Sequence, residues 1–510
     1  MKKFICFLIA VLTLFCVTAC DITINSGSAT GSGVSNNGGS SGGGNGGSAS
    51  ALVNVDIYGI NDLHGAVLDD DGNGIANLTT YFNRFKSYNE NTLFISSGDM
   101  WQGSSEANNT KGKIITDWMN LVGFSSMTVG NHEFDWGIEP IKTNAELADF
   151  PILGINVYER ATDKRAEPFK SSVLVEKDDV TIGIIGAIGD CYTSISSSQV
   201  TDYYFKTGKD LTALVKAESE KLKSEGADIV VYSLHDGYER YNKNDSSSAP
   251  TIYRSNLAGF YDVSLSDGYV DVVFEGHTHK NYVYKDEYGV YHVQGGSSRQ
   301  YVSHVDMDYN TETGEVVVNK VENNSVSAIY DAADESTEAL FDKYAEEIGP
   351  VYDVLGYNAA KRGSDFIKDL CADLYLAVGL KKWGEDYNVF LGGGFFSVRS
   401  PYYFYKGNLR YKDIQSVLPF DNEIVLCSVS GYYLKKQFVY TENENYFCTY
   451  SDYGNQNEGR IDDEATYYIV VDTYTSDYAP NHLTVIERYS ATPVYARDLI
   501  ANYVKSGGLS

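Results

Sequence analysis

The sequence predicts an α/β fold in two units, on three observations. Short β-branched or apolar runs alternate with stretches of helical character through residues 52–274, the pattern of βαβ crossovers. A charged, helix-like segment follows from Asp331 to Glu347, and apolar positions at Leu340, Phe341, Tyr344 and Ile348 give it one face to bury, as a connector between units needs. A second α/β-type stretch then runs from residue 351 to residue 510. Domains usually hold about 100 to 200 residues, so a chain of 510 residues calls for more than one core.

The first element is not part of either unit. Met1-Lys2-Lys3, the apolar run Phe4 to Val17 and then Thr18-Ala19-Cys20 have the form of an export signal. The run is shorter than the ~20 residues of a membrane-spanning helix. Val17-Thr18-Ala19-Cys20 resembles the lipobox of bacterial lipoproteins, which implies removal of residues 1–19 and lipidation of Cys20; an ordinary secretory signal is the competing reading. Residues 20–50 are dominated by Gly, Ser and Asn. Such a stretch cannot repay its ordering entropy and makes a coil with a reach of roughly 30 Å. The expected location is therefore extracytoplasmic and membrane-anchored.

Composition narrows the partners. Hydrophobic residues at 43% and charged residues at 21% place the rest of the chain among folded proteins. Forty-two tyrosines are the anomaly, and most should be core or surface. Sixty-nine Asp and Glu against 40 Lys and Arg leave a net charge of −29, a field that repels a nucleic acid duplex. A phosphate-bearing substrate would have to be drawn in by local cations or metal ions. Cys191, Cys371, Cys427 and Cys448 form no Cys-x-x-Cys pattern and read as structural; Cys427 and Cys448 are either a disulfide or free buried thiols.

Within the first unit, five strand-like runs each stop at a residue able to bind a metal. Leu52 to Ile60 leads to Asp62 and His64, Thr92 to Ser96 to Asp99, and Ser126 to Val129 to Asn131 and His132. Asp228 to Leu234 leads to His235, and Val270 to Phe274 to His277 and His279. Ile75 to Tyr88, Gly112 to Val122 and Asp210 to Glu225 are the intervening helices. In sheets of this kind sites gather at the carboxyl ends of strands. Asp62 and His64, like His277 and His279, are two residues apart, which on extended backbone places both side chains on one face. Five of the eight histidines lie at these ends. Imidazole mixed with carboxylate and amide oxygens suits zinc, manganese, iron or cobalt better than calcium. Asp99 is fitted to bridge two ions, because its two oxygens offset repulsion at the ~3.5 to 4 Å spacing of two-metal sites.

Asp62-x-His64, Gly98-Asp99, Gly130-Asn131-His132-Glu133-Phe134-Asp135, His235-Asp236 and Gly276-His277-Thr278-His279 together resemble the bacterial 5'-nucleotidase branch of the calcineurin-like metallophosphoesterases, in order and spacing. The resemblance implies a four-layer αββα sandwich over residues 51–328, a connector helix over 329–350 and a substrate-binding α/β domain over 351–510. It assigns Asp62, His64, Asp99 and His279 to one divalent ion, and Asp99, Asn131, His235 and His277 to a second. It makes His132 and Asp135 the catalytic pair, for in-line attack on phosphorus by water that the two ions activate.

The second unit matches the same family less closely. Leu391-Gly392-Gly393-Gly394, Val417 to Asn422 and Leu426 to Leu434 resemble its substrate-binding domain. There a Gly-rich loop would carry an arginine onto the substrate phosphate, and Arg399 and Arg410 are the candidates. Phe447 and Tyr474 would clamp a nucleobase, and Asp477-Tyr478 is what remains of the family's usual Gly-Gly-Asp-Gly-Tyr. The leading expectation is a nucleoside 5'-monophosphate phosphatase, with nucleotide sugars or 2',3'-cyclic nucleotides as further substrates. Two readings compete with it: a related enzyme with another ester or sulfur-compound substrate, and a catalytically silent ligand-binding lipoprotein. The oligomeric state has no signature in the sequence.

Overall fold

A computed structural model of the chain describes residues 51–67, 74–238, 268–286, 288–328, 332–399 and 401–510. The export-signal segment, Cys20 and the Gly/Ser/Asn stretch lie outside the described residues. Among those described, no helix is long and apolar enough to cross a membrane.

The alternating runs of the first half build two six-stranded sheets. One orders its strands Val316–Ser325, Tyr301–Asn310, Leu52–Ile60, Thr92–Ser96, Ser126–Thr128 and Ile152–Leu153. The other orders them Asn281–Lys285, Tyr291–Gly295, Val272–Glu275, Ile229–His235, Val180–Ile188 and Ser172–Lys177. Leu52–Ile60, Thr92–Ser96 and Ser126–Thr128 are parallel neighbours, as are Val180–Ile188, Ile229–His235 and Val272–Glu275.

These strands are buried on both faces, which is why they read as near-continuous apolar runs. Val55, Ile57, Leu93 and Ile95 from one sheet meet Ile182, Ile184, Val231 and Val272 from the other. The outer face of the first sheet is covered by helices Ile75–Tyr88 and Lys113–Val122, through Leu78, Phe82, Trp118 and Met119. Helix Gly208–Ser224 covers the second through Leu211, Val215 and Leu222. The result is a helix–sheet–sheet–helix sandwich.

The connector helix spans Glu335–Glu347, capped by the Asp334 side chain on the Thr337 N–H. It lies on the sandwich with Tyr344 buried and its hydroxyl donating to Asp117 at 2.8 Å. Beyond it a five-stranded sheet runs Tyr446–Tyr450, Val389–Phe395, Thr466–Asp472, Ile424–Ser430 and Leu483–Arg488. Helix Ser364–Trp383 covers one face. The four cysteines among the described residues form no disulfide, so Cys427 and Cys448 are not paired. Their exclusion from water pushes the Cys448 thiol up to about 11 and that of Cys427 up to about 12.

The triple-glycine run lies inside strand Val389–Phe395 rather than in a loop. A Cβ at Gly392 would come within 2.5 Å of the Leu376 backbone nitrogen, so the glycines let helix Ser364–Trp383 lie directly on the strand. They are a packing device, and the expected phosphate loop is not formed there.

Candidate active site

The seven sequence-predicted ligands converge where the parallel strands of both sheets end. Asp62, His64 and His279 place one donor atom each within 4.8 Å of one another, and so do Asp62, Asp99 and His235. The His64 and His279 Nε2 atoms are 3.0 Å apart, and His279 Nε2 is 3.3 Å from Asp62 Oδ1. Asn131 Oδ1 lies 3.2 Å from His235 Nε2 and 2.9 Å from His277 Nδ1.

Local backbone explains how five strands deliver these groups to one point. Asp62, His64, Asp99, His277 and His279 all adopt φ between 49° and 67°. The left-handed region is costly for residues with a Cβ and persists where surrounding contacts over-determine it. Here the turns after three of the five strands, Leu52–Ile60, Thr92–Ser96 and Val272–Glu275, curl their side chains back over the strand ends. Gly98 and Gly130 allow the loops to touch, since a Cβ on Gly130 would meet Asp99 Oδ1 at 2.3 Å and one on Gly98 would meet His235 Nδ1 at 2.7 Å.

The donors fit a divalent ion on their own chemistry. His235 Nδ1 donates to the Ser97 carbonyl at 2.7 Å and His64 Nδ1 to the Gln102 carbonyl at 3.0 Å, which leaves both Nε2 atoms as lone-pair donors facing the cluster. Asp99 is almost fully buried and its Oδ2 has no hydrogen-bond donor, although His235 Nε2 stands 3.3 Å away. An orphaned carboxylate oxygen amid imidazoles calls for a cation. Burial pulls the His64 and His277 imidazoles down to about 3, so both are neutral at physiological pH. Burial acts the same way on His235, but the carboxylates of Asp99 and Asp62 outweigh it and lift that imidazole to about 10.

His132 and Asp135 sit beside the cluster. His132 Nδ1 donates to Asp135 Oδ2 at 2.8 Å, and the His132 backbone N–H donates to Asp99 Oδ1 at 2.8 Å. Burial disfavours the imidazolium, yet Asp135 and Asp99 over-compensate and raise the His132 pKa above its ordinary value. The other edge of the ring faces Arg399, whose Nη2 is 3.4 Å from His132 Nε2.

Two cavities flank this centre. One, of about 680 Å³, is lined by Asp99, Asn131, His132, His277, Phe395, Arg399, Phe420, Tyr474 and Asp477. The second, of about 520 Å³, shares His279 and Arg399 with the first and continues past Arg299, Arg410, Lys412 and Tyr402. Arg399 is thus at the centre, whereas Arg410 belongs to the second cavity, away from His132. Asp477 lines the first cavity and accepts from the Ser196 hydroxyl at 2.5 Å.

The aromatic expectation needs correction. Phe447 is buried in the C-terminal core, edge-on to Phe396 at 4.7 Å, and lines neither cavity. Its place is under the glycine strand, where an aromatic fills the space that missing side chains leave. Tyr474 does line the first cavity, parallel to Phe395 within 3° at a centroid distance of 6.4 Å. Tyr478 is exposed and stacks on Phe395 at 4.1 Å. Phe420 stacks on His132 at 5.4 Å and lies 5.1 Å beneath the Arg399 guanidinium. Phe395 and Phe420 were not singled out from the sequence. The leucine-proline-phenylalanine turn before Asp421-Asn422 was the available signal for Phe420.

Glu133 was also missed, although it stands inside the His132 motif. Its buried carboxylate accepts from the backbone N–H groups of Asp99 at 2.9 Å, Met100 at 2.8 Å, Trp101 at 3.3 Å and Gly130 at 2.7 Å. Burial and the Asp99 charge lift it to about 7, while the four donors favour its ionised form. It clamps the Asp99 loop to the Asn131 loop. Gln294 does the same for the last ligand loop: its amide donates to the Gly276 carbonyl at 2.9 Å and accepts from the Lys280 N–H at 2.8 Å. Behind it, His292 is buried between Glu275 at 2.9 Å and Asp286 at 3.6 Å. Burial opposes its charge, but the two carboxylates raise its pKa to about 9.

Comparison with known proteins places this geometry. Residues 55–281 match the calcineurin-like phosphoesterase family. The chain is 26% identical over 387 residues to the protein UshA of Yersinia enterocolitica, a match covering 69% of this chain and 68% of that one. A 5'-nucleotidase precursor from Thermus thermophilus has the same fold, with a TM-score of 0.69 and 19% identity over 89% of this chain and 96% of its own. A sulfate thiohydrolase SoxB from the same organism shares the fold as well, with a TM-score of 0.63 and 14% identity over 89% of this chain and 94% of its own.

Proposed function

Because the chain carries a calcineurin-like phosphoesterase domain and is a metal-dependent phosphoester hydrolase homologous to UshA, we propose that it removes phosphate from nucleoside 5'-monophosphates, outside the cytoplasm and tethered through Cys20. Residues 51–328 would hold two divalent ions and residues 351–510 would select the substrate. The observation that carries this reading is the placement of the His132–Asp135 pair between the ligand cluster and a cavity lined by Phe395, Phe420 and Tyr474.

When bound, divalent ions polarise phosphoryl oxygens and lower the pKa of water towards ~7. The residues supply the rest. Arg399 offers paired donors to phosphoryl oxygens at the junction of the two cavities. Asp135 holds the His132 ring by Nδ1, which leaves Nε2, beside Arg399, as the nitrogen that would give its proton to the departing oxygen. Phe395, Phe420 and Tyr474 offer flat faces for a planar base at low ordering cost.

The second cavity favours an additional class of substrate. Its basic lining of Arg299, Arg410 and Lys412 lies across the centre from the aromatic rings. A phosphodiester or anhydride with a charged group on the far side of its phosphorus would fill both. Turnover of AMP, UDP-glucose, a 2',3'-cyclic nucleotide and an aryl phosphate, on metal-stripped protein reloaded with zinc, manganese or cobalt, tests the assignment. Preference for AMP over the aryl phosphate is the expected result. Hydrolysis of none of the four by metal-loaded protein would overturn it in favour of a binding role.

A further inference from the structure

We propose that Cys191 is a sulfur ligand of the metal centre, in addition to the seven donors already described; this rests on the reading of the chain as a metal-dependent hydrolase. Strand Val180–Ile188 is the parallel neighbour of Ile229–His235, with Ile188 paired to His235. Its following turn, Gly189-Asp190-Cys191, therefore emerges at the sheet end where the other ligands gather. Among the parallel strands of that sheet, it and Tyr291–Gly295 carry no ligand in the set of seven.

Geometry puts the thiol within reach. Cys191 Sγ lies within 4.8 Å of a ring nitrogen of His235 and one of His277, which are that close to each other. The residue is fully buried. Contacts on both sides hold it there: the thiol donates to the His235 carbonyl oxygen at 2.8 Å, and the Cys191 N–H donates to the Asp236 carboxylate at 3.3 Å. The independent sign that a cation belongs beside His235 is Asp99, buried, with Oδ2 lacking a hydrogen-bond partner 3.3 Å from His235 Nε2; Asp99 joins His235 and Asp62 within 4.8 Å, as Cys191 joins His235 and His277.

The bond exchange balances. Coordination replaces the S–H bond by an S–metal bond and releases one proton to solvent. The His235 carbonyl then loses the thiol but keeps the Gly189 N–H at 3.0 Å, so no buried acceptor is orphaned. Sulfur is the one soft donor in the set, and it would shift preference towards zinc, cobalt or cadmium and away from manganese or magnesium. Cys371, Cys427 and Cys448 are placed in the C-terminal sheet and its covering helix, with no part in the centre.

Cobalt titration of the full chain tests this. Cys191 ligation predicts a near-ultraviolet thiolate-to-cobalt charge-transfer band alongside the visible cobalt bands. Cys191→Ser should abolish the first and keep the second, and should weaken zinc or cadmium by at least the roughly 10-fold that even an outer-shell partner costs, with manganese changed less. Cys191→Ala serves as the second variant, and the native spectrum decides even if neither folds. Full cobalt occupancy without the band, or its persistence in Cys191→Ser, overturns the assignment. AMP hydrolysis is read in parallel. A cobalt-loaded protein that cleaves AMP but shows no sulfur band sinks the Cys191 ligand and leaves the nucleotidase. A sulfur band without ester hydrolysis sinks the nucleotidase and leaves Cys191. A chain that binds no cobalt overturns both.

Discussion

The sandwich and the C-terminal sheet hold their working residues in different ways. In the sandwich five of the seven donors sit in left-handed turns, and partners such as Ser97, Gln102, Glu133 and Gln294 hold the rings and loops in place. In the C-terminal sheet Tyr474 remains 39% exposed, while Phe420 and Arg399 brace mainly against His132 across the interface. The metal-ligand half is over-determined, and the half proposed to select the substrate is less constrained. Under the proposed function that division would let one centre act on several esters, because binding surfaces can be re-lined while the donors stay put.

The largest expected effect breaks the rigid side. Asp99→Asn removes the charge shared by the cluster and should lower kcat by about a thousandfold, measured at saturating metal. His132→Ala should lower kcat by about a hundredfold or more with little change in KM, since the role proposed for it would be realised as the leaving oxygen gains charge. Glu133→Gln leaves the donors in place but loosens their loops. A loss of about 10- to 100-fold in metal affinity, with unchanged circular dichroism, is the expected outcome of calorimetric titration. Unchanged affinity would show that the clamp is dispensable.

Smaller effects sharpen the adaptable side. Phe420→Ala and Tyr474→Ala should each raise KM for a nucleotide by about 3- to 10-fold while sparing an aryl phosphate. Phe447→Ala should instead cost about 3 to 5 kcal/mol of stability with KM unchanged, which denaturant unfolding would read. The smallest concerns His292. Its folded pKa of about 9 exceeds the ordinary 6.5, so its contribution is fully present below pH 6.5 and is lost as pH rises through 9. The melting temperature should fall by a few degrees over that window, and His292→Gln should flatten the fall.

How much of this was legible follows from the same division. Asp62, His64, Asp99, Asn131, His235, His277 and His279 could be read because each stands at the end of an apolar run, so position and residue type testify together. Helix Ile75–Tyr88 matches its expected bounds, for its apolar spacing is unbroken. Phe447 could not be told from Phe420, since an aromatic in a core and one in a cavity share the same chemistry and differ only in what lies opposite. Gly392-Gly393-Gly394 misled for a related reason: glycine marks close approach of backbone without saying to what. Glu133 was hidden because its partners are backbone N–H groups, which no side-chain pattern reveals. A single cysteine such as Cys191 has no spacing to interpret.

The left-handed turns at Asp62, His64, Asp99, His277 and His279 also limit how this chain can drift. Asn, Asp, His and glycine enter that conformation far more readily than valine, isoleucine or threonine. A descendant freed from catalysis would thus lose its imidazoles and carboxylates sooner than its turns, with asparagine or glycine in their stead. The three turns that hold these five residues would outlast the chemistry as a fossil of it.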